Sequence, residues 1–116
     1  MLFLEDDADF AAAAAAAMLT AGLRVLLALD AWEALRHLDS GERIDLLLAD
    51  IRMPPGMPHG FAMARMAKFR RPELKLLFVT GYRDLAEAES DYLPSVLYKP
   101  IGLDQLTEAV HRTLAG

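Results

Sequence analysis

Five short apolar runs recur along the chain, and each is followed by a segment with helical character. The runs cover residues 2–4, 24–28, 44–49, 76–80 and 96–98, and their continuous apolar character predicts strands buried on both faces. The intervening segments predict helices over residues 8–21, 31–38, 61–70, 84–90 and 103–114. This alternation, a βα unit counted five times, predicts an α/β fold in which helices cover both faces of a parallel sheet.

The residues between these elements indicate one domain. Gly22, Gly41 and Pro72 closely follow three predicted helices, where a left-handed residue or a helix breaker is favoured. Connections are short, and 116 residues suffice for one compact core, so we predict a single domain over residues 1–116. The stretch 10–29 contains seven consecutive alanines, Gly22 and Arg24, and it predicts a helix, a turn and a strand, with no membrane span.

Composition restricts the partners more than it restricts the fold. The chain is 54% hydrophobic and 25% charged, which is typical of a globular protein. Its formal net charge of −5, with no cluster of lysine or arginine, argues against nucleic-acid binding and favours a protein partner or a cation. The absence of cysteine excludes disulfides, zinc–thiolate sites and thiol catalysis, which agrees with a cytoplasmic location.

Polar residues follow four of the five predicted strands. They are Glu5, Asp6 and Asp7 after the first strand, then Asp50, Thr80 and Lys99 at the ends of the third, fourth and fifth. In a parallel sheet these positions meet at the carboxyl edge, where open α/β sheets bind their ligands. Each residue alone has a structural explanation, because strand ends run into polar loops and aspartates cap helices.

The combination predicts more than its members do. Neighbouring carboxylates repel one another and favour a bound cation, and ligands that are all oxygen atoms favour Mg²⁺ or a similar hard ion. The hydroxyl of Thr80 and the ammonium of Lys99 are suited to binding an anion such as a phosphoryl group. The carboxyl edge is therefore predicted to hold a cation and an anion side by side.

An acidic cluster and three separated motifs also resemble a known family. The cluster after the first strand, the sequence DIRMP beginning at Asp50, the Thr80–Gly81 pair and the Lys99–Pro100 pair follow one another as in the receiver domain of two-component response regulators. The resemblance covers essentially the whole chain. It implies a flavodoxin-like (βα)5 fold with strand order 2-1-3-4-5.

The resemblance implies a metal site built from acidic side chains. Asp6 is expected to bind Mg²⁺ directly and Glu5 through water, while Asp50 and the backbone carbonyl of Arg52 complete the protein's ligands. This choice of register leaves Asp7 or Asp9 to cap the first helix. Other metal ligands are not expected, and no further cofactor is implied.

The resemblance also implies a phosphorylation site. Asp50 is expected to accept a phosphoryl group from a phosphohistidine, Lys99 to pair with the phosphoryl oxygens, and the Thr80 hydroxyl to bond to one of them. The Lys99–Pro100 peptide bond is expected to be cis. The expected partner is a sensor histidine kinase or a histidine phosphotransfer protein. The receiver is expected to be a monomer or weak homodimer that catalyses only its own phosphorylation and dephosphorylation.

Three features depart from the family pattern. The loop after Asp50 is longer than usual, and the role of residues 55–59 in it is unexplained. The aromatic residue usual three positions before the lysine is replaced by Val96, and Tyr98 is expected on the opposite face of the strand, where it cannot substitute. The alanine run 11–17 is expected to leave the exposed side of the first helix bare. Either partner docking depends on other residues or the run is not the protein's own sequence, and the intact mass, compared with 12.8 kDa, distinguishes these alternatives.

Four functional alternatives remain open from the sequence. The chain is a receiver that acts alone, a receiver excised from a hybrid histidine kinase, a Mg²⁺-dependent phosphatase with an aspartyl nucleophile, or a pseudo-receiver that only binds partners. Arg52 stands where the phosphatase reading requires a second aspartate, which weighs against that reading. All four key side-chain types are present, which weighs against the pseudo-receiver.

Overall fold

The structure is a computed structural model that describes residues 1–50, 60–80 and 96–116. Several features of the sequence analysis lie outside these residues: the predicted helix over 84–90, the carbonyl of Arg52, Gly81 of the Thr80–Gly81 pair and the loop residues 55–59. The described elements occur along the chain in the order β1 (Leu2–Leu4), α1 (Ala8–Thr20), β2 (Leu26–Ala28), α2 (Ala31–Asp39), β3 (Leu46–Asp50), α3 (Gly60–Arg70), β4 (Lys75–Thr80), β5 (Val96–Tyr98) and α4 (Leu103–Ala115).

The five strands form one parallel sheet. Their order is β2-β1-β3-β4-β5, and every neighbouring pair runs in the same direction. The α/β class, the parallel sheet and the strand order expected from the sequence are confirmed. In this order β1 and β3 are neighbours at the centre of the sheet, so the residues after β1 lie beside the end of β3.

Two strands begin later than the sequence predicts. The prediction started β2 at residue 24 and β3 at residue 44, whereas pairing begins at Leu26 and Leu46. β1 has only three residues and pairs with Leu26–Ala28, so residues 24 and 25 have no strand beside them. Ile44 is buried at 6% exposure although it precedes β3. The sequence prediction was based on apolar residues, which indicate burial, but buried residues also lie outside the paired strand segments.

Successive strand residues point to opposite faces, and each face has its own core. Leu2, Leu4, Leu47, Ala49 and Phe78 pack in the core that includes α2 and α3. The strand residues that point to the opposite face pack in the core that includes α1 and α4. They are Phe3, Leu46, Leu48, Leu77 and Val79. Because both faces are covered, the strands are continuously apolar, as in the sequence.

The first helix is tied to the carboxyl edge of the sheet by its N-cap. The Asp7 carboxylate accepts hydrogen bonds from the backbone N–H groups of Asp9 and Phe10, both at 3.1 Å. The cap is therefore Asp7, one of the two candidates from the sequence, and Asp9 is exposed in the first turn.

The alanine run 11–17 has a buried side and an exposed side, set by the helical period. Ala11 and Ala14 are completely buried, whereas Ala12, Ala13 and Ala16 are exposed. The exposed side of α1 therefore carries methyl groups over these turns, as the sequence predicts. Among the helices in the described ranges, none combines the length and the apolar character needed to cross a membrane.

Replacing Gly22 by alanine is expected to destabilise the fold by about 1 kcal/mol. Gly22 follows α1 with φ of 89°, a left-handed conformation that alanine adopts at a cost, although an added Cβ meets nothing within 4 Å. Gly41→Ala is the matched control, because its Cβ also meets nothing and its φ is not positive. Urea unfolding of both variants measures the difference. Equal stability of the two variants contradicts the conformational explanation.

Candidate functional site

Three chemically active side chains reach the carboxyl edge from three strands. Glu5 follows β1, Asp50 ends β3, and Lys99 follows β5. Strand periodicity directs each of them to the face that α1 covers, since each lies two positions after a residue of that core: Phe3, Leu48 and Leu97. Parallel strands of alternating side-chain direction thus place two carboxylates and an ammonium on one face of one edge.

Lys99 binds both carboxylates. Its Nζ donates a hydrogen bond to Oδ2 of Asp50 at 2.7 Å and another to Oε1 of Glu5 at 3.3 Å. The side chains of Glu5 and Asp50 are only 1% and 3% exposed, whereas that of Lys99 is 34% exposed. Two buried carboxylates therefore share one partly exposed ammonium.

A third carboxylate, that of Asp6, stands at the solvent side of this cluster. Glu5, Asp6 and Asp50 each offer an oxygen, and these oxygens lie within 4.8 Å of one another. Such spacing suits a single hard cation, and the set contains only oxygen donors. The structure therefore brings together the three acidic side chains that the sequence predicts as metal ligands.

Burial makes ionisation of Glu5 unfavourable. It raises the pKa of Glu5 from its ordinary value of 4.5 to about 7, with a further contribution from the charge of Asp50. The N–H of Asp7, which donates to Oε2 of Glu5 at 3.2 Å, and the ammonium of Lys99 act in the opposite direction without cancelling the effect.

The pKa of Lys99 shifts upward for a related reason. Burial alone lowers the pKa of its ammonium, but the hydrogen bond and charge of Asp50, together with those of Glu5, more than offset the burial. The net shift is upward. Lys99 is therefore charged throughout the neutral pH range and remains an anchor for negative charge at the carboxyl edge.

Thr80 lies at the same carboxyl edge of the sheet. It is completely buried at the end of β4, and its carbonyl accepts a hydrogen bond of 2.7 Å from the N–H of Lys99. The peptide bond between Lys99 and Pro100 is cis, as expected. The backbones of Thr80 and Lys99 are thus hydrogen-bonded to each other between β4 and β5.

The expectation that Tyr98 lies on the opposite face from Val96 was wrong. Both residues pack against the core on the α2 and α3 side, while Leu97 packs on the other side. Positions two apart on a strand share a face, so the error was one of strand periodicity. Tyr98 is the register partner of Thr80 across β4 and β5. It therefore lies on the face that an aromatic residue at position 96 would share.

One residue at the site was missed from the sequence. The ring of Phe10 lies 5.4 Å from Nζ of Lys99, measured to the ring centroid. The available signal was an aromatic residue three positions after a helix-capping aspartate, at the start of a helix that follows the acidic cluster. Phe10 can be assigned to the site from this signal only when the position of Lys99 in the sheet is known, because 89 positions separate the two residues in the chain.

Comparison with known proteins agrees with this fold. A family model described as the response regulator receiver domain matches residues 1–111. The response regulator receiver protein CpdR of Brucella abortus (strain 2308) is 32% identical over 117 residues, which span 98% of this chain and 95% of that protein.

Two crystal structures show the same likeness. A CheY-like response regulator receiver domain protein from Methanospirillum hungatei JF-1 has a TM-score of 0.86 and 25% identity, over 98% of this chain and 91% of that one. A response regulator receiver protein from Sinorhizobium medicae WSM419 has a TM-score of 0.86 and 28% identity, over 99% and 93%.

The fold and the acidic edge define a receiver-type α/β protein. The chain belongs to the response regulator receiver domain family, and it is a receiver domain of two-component signalling. Membership of a two-component system implies a partner kinase that donates a phosphoryl group.

In metal-free buffer, the protein is expected to lose stability as the pH rises from about 4.5 to about 7. Because folding raises the pKa of Glu5, the stability from its protonated form is fully present below pH 4.5 and is lost as pH rises through 7. The full pKa difference corresponds to about 3 kcal/mol, and solvent screening at the partly exposed cluster reduces the expected contribution to about 2 kcal/mol. Urea unfolding in a chelator measures it, with Glu5→Gln as the comparison. If Glu5→Gln shows the same pH dependence as the wild type, Glu5 is not its source.

Proposed function

We propose that this receiver accepts a phosphoryl group on Asp50 from a phosphohistidine of its partner. The observation that carries the proposal is the hydrogen bond of 2.7 Å between Asp50 and Lys99 inside a cluster of buried carboxylates. It supports a carboxylate nucleophile with a fixed positive charge beside it, at the edge where α/β sheets bind ligands. The partner is a sensor histidine kinase or a histidine phosphotransfer protein.

The transfer requires positioning more than acid–base catalysis. An oxygen of Asp50 forms a bond to phosphorus as the phosphorus–nitrogen bond to the donor imidazole breaks, and the electron pair of that bond stays with the imidazole. Lys99 pairs with the phosphoryl oxygens, and the hydroxyl of Thr80 bonds to one of them. The protein's contribution is then to hold charges where negative charge moves during the reaction.

Mg²⁺ is the proposed cofactor, and the acidic residues fit it. Glu5, Asp6 and Asp50 offer oxygens within 4.8 Å of one another. Burial, together with the charge of Asp50, raises the pKa of Glu5 to about 7, and a nearby cation would act in the opposite direction. Asp6 is proposed as a direct ligand, Glu5 as one acting through water, and the carbonyl of Arg52 as a further ligand. When bound, Mg²⁺ supplies positive charge that neutralises the carboxylates and the incoming phosphoryl oxygens.

The output of the receiver is proposed to be a change in partner binding. Phosphorylation adds negative charge and acceptor oxygens at a site where Lys99 is already present, so it alters the balance of charge-assisted bonds. The chain acts on no substrate other than its own phosphoryl group, and no nucleic acid or membrane is involved. A monomer or a weak homodimer suffices for this role.

Asp50→Asn is expected to abolish phosphorylation. The wild type, incubated with Mg²⁺ and a small-molecule phosphodonor, gains the mass of one phosphoryl group, measured by intact-protein mass spectrometry. Asp45→Asn is the matched control, because Asp45 precedes the same strand at its opposite end and its side chain is 56% exposed. Phosphorylated Asp50→Asn protein contradicts the assignment. A wild type that stays unmodified favours the pseudo-receiver, which only binds partners.

Asp6→Asn is expected to weaken Mg²⁺ binding. At Mg²⁺ about tenfold above its dissociation constant, the wild type gains about 1.4 kcal/mol of stability, and the variant gains less because one ligand charge is lost. Asp9→Asn is the control, since Asp9 is exposed in the first turn of α1 and is not part of the oxygen cluster. Thermal unfolding with and without Mg²⁺ measures the gain. Equal gains in Asp6→Asn and the wild type contradict a direct role for Asp6.

A further inference from the structure

Phe10 makes a contact at the site that none of the assigned roles uses. Its ring lies over the ammonium of Lys99, with 5.4 Å between Nζ and the ring centroid. This is within the range of about 6 Å over which an aromatic face attracts a cation. The same ammonium donates hydrogen bonds to Glu5 and Asp50, so the ring and the two carboxylates contact one charged group.

The position of Phe10 is set by the same residues that form the acidic cluster. The Asp7 carboxylate accepts a hydrogen bond from the N–H of Phe10 at 3.1 Å, and the Asp7 N–H donates to Oε2 of Glu5 at 3.2 Å. Glu5 in turn accepts from Lys99. Four successive contacts therefore connect these residues. Glu5 accepts from Asp7, Asp7 accepts from Phe10, the Phe10 ring contacts Lys99, and Lys99 donates to Glu5.

Lys99 requires such support because its side chain reaches across the sheet. It follows β5, whereas Asp50 ends β3, and β4 lies between those strands. A lysine has a flexible four-carbon stem, so its charged end is poorly restricted by its own backbone. The side chain is also 34% exposed, which gives water access to the ammonium. The Phe10 ring, half-buried against the α1 core, provides a fixed apolar surface on one side.

We propose that Phe10 is the positioning residue for Lys99. Its ring face holds the ammonium beside Asp50 and excludes water from that side of the charge. For catalysis the inference rests on the proposed function: once Asp50 carries a phosphoryl group, its carboxylate charge is lost, and the ring still holds Lys99 where the phosphoryl oxygens arrive. The ring contact itself exists without phosphorylation and can be tested without it.

Lysine NMR tests the contact directly. The chain has three lysines, so selective labelling of the lysine ε-carbon gives three signals, and Lys99→Arg assigns the third. Lys68 and Lys75 serve as internal references, since each donates a hydrogen bond to a backbone carbonyl distant from the site. In the wild type, the Lys99 ε-protons are expected upfield of the other two because of the ring current of Phe10.

The substitutions separate the aromatic ring from its apolar bulk. Phe10→Leu is expected to remove the upfield shift, whereas Phe10→Tyr, which keeps the ring, is expected to retain it. Phe69→Leu is the matched control, since Phe69 is 88% exposed near the end of α3 and should leave the Lys99 signal unchanged. If Phe10→Leu unfolds, Phe10→Met provides a second non-aromatic side chain of similar volume. A Lys99 signal that does not move in the folded non-aromatic variant overturns the inference.

The phosphorylation rate provides the second readout. With the same small-molecule donor and Mg²⁺, Phe10→Leu is expected to react about three- to tenfold more slowly than the wild type, and Phe10→Tyr to recover most of the rate. A Phe10→Leu rate equal to that of the wild type overturns the positioning role. If the wild type takes no phosphoryl group while its Lys99 signal depends on Phe10, the proposed function fails and the positioning of Lys99 stands.

Discussion

Two buried carboxylates share the ammonium of Lys99, and the arrangement of the carboxyl edge depends on this interaction. Glu5 and Asp50 are almost fully removed from water, and Lys99 forms an ion pair with both of them. Burying charge is costly unless it is paired, so the free energy of this cluster depends on the charges around it. The raised pKa of Glu5 is the direct expression of this cost. A site that is unfavourable alone is suited to binding and to switching.

The sheet and the first helix both serve this cluster. Strand order makes β1 and β3 neighbours, which brings Glu5 beside Asp50, while β5 supplies Lys99 from two strands away. α1 contributes through its N-cap, because the N–H of Asp7 binds Glu5 and its carboxylate holds the turn that carries Phe10. The backbone elements that satisfy their own hydrogen bonds therefore also orient the charged side chains.

Most of the fold and much of the acidic edge could be predicted from local sequence. Leu2–Leu4 and Val96–Tyr98 have the predicted bounds, and the described helix ends differ by one residue at most. The late starts of β2 and β3 could not be predicted, because a strand begins where its neighbour has residues to pair with. The error at Tyr98 had another cause, a misjudged period of two, since the chain itself places Tyr98 and Val96 on one face.

The sequence by itself determined the βα alternation, the acidic residues after the first strand and the presence of Asp50, Thr80 and Lys99 at strand ends. These follow from composition and periodicity, which act over a few residues. Only the tertiary structure decided that Asp7 is the cap, that one ammonium is divided between two carboxylates, and that Phe10 lies against it. The Asp7 cap is a local contact for which the sequence offers two aspartates. The contacts of Lys99 join residues up to 94 positions apart, and they depend on strand order and helix packing, which local patterns do not encode.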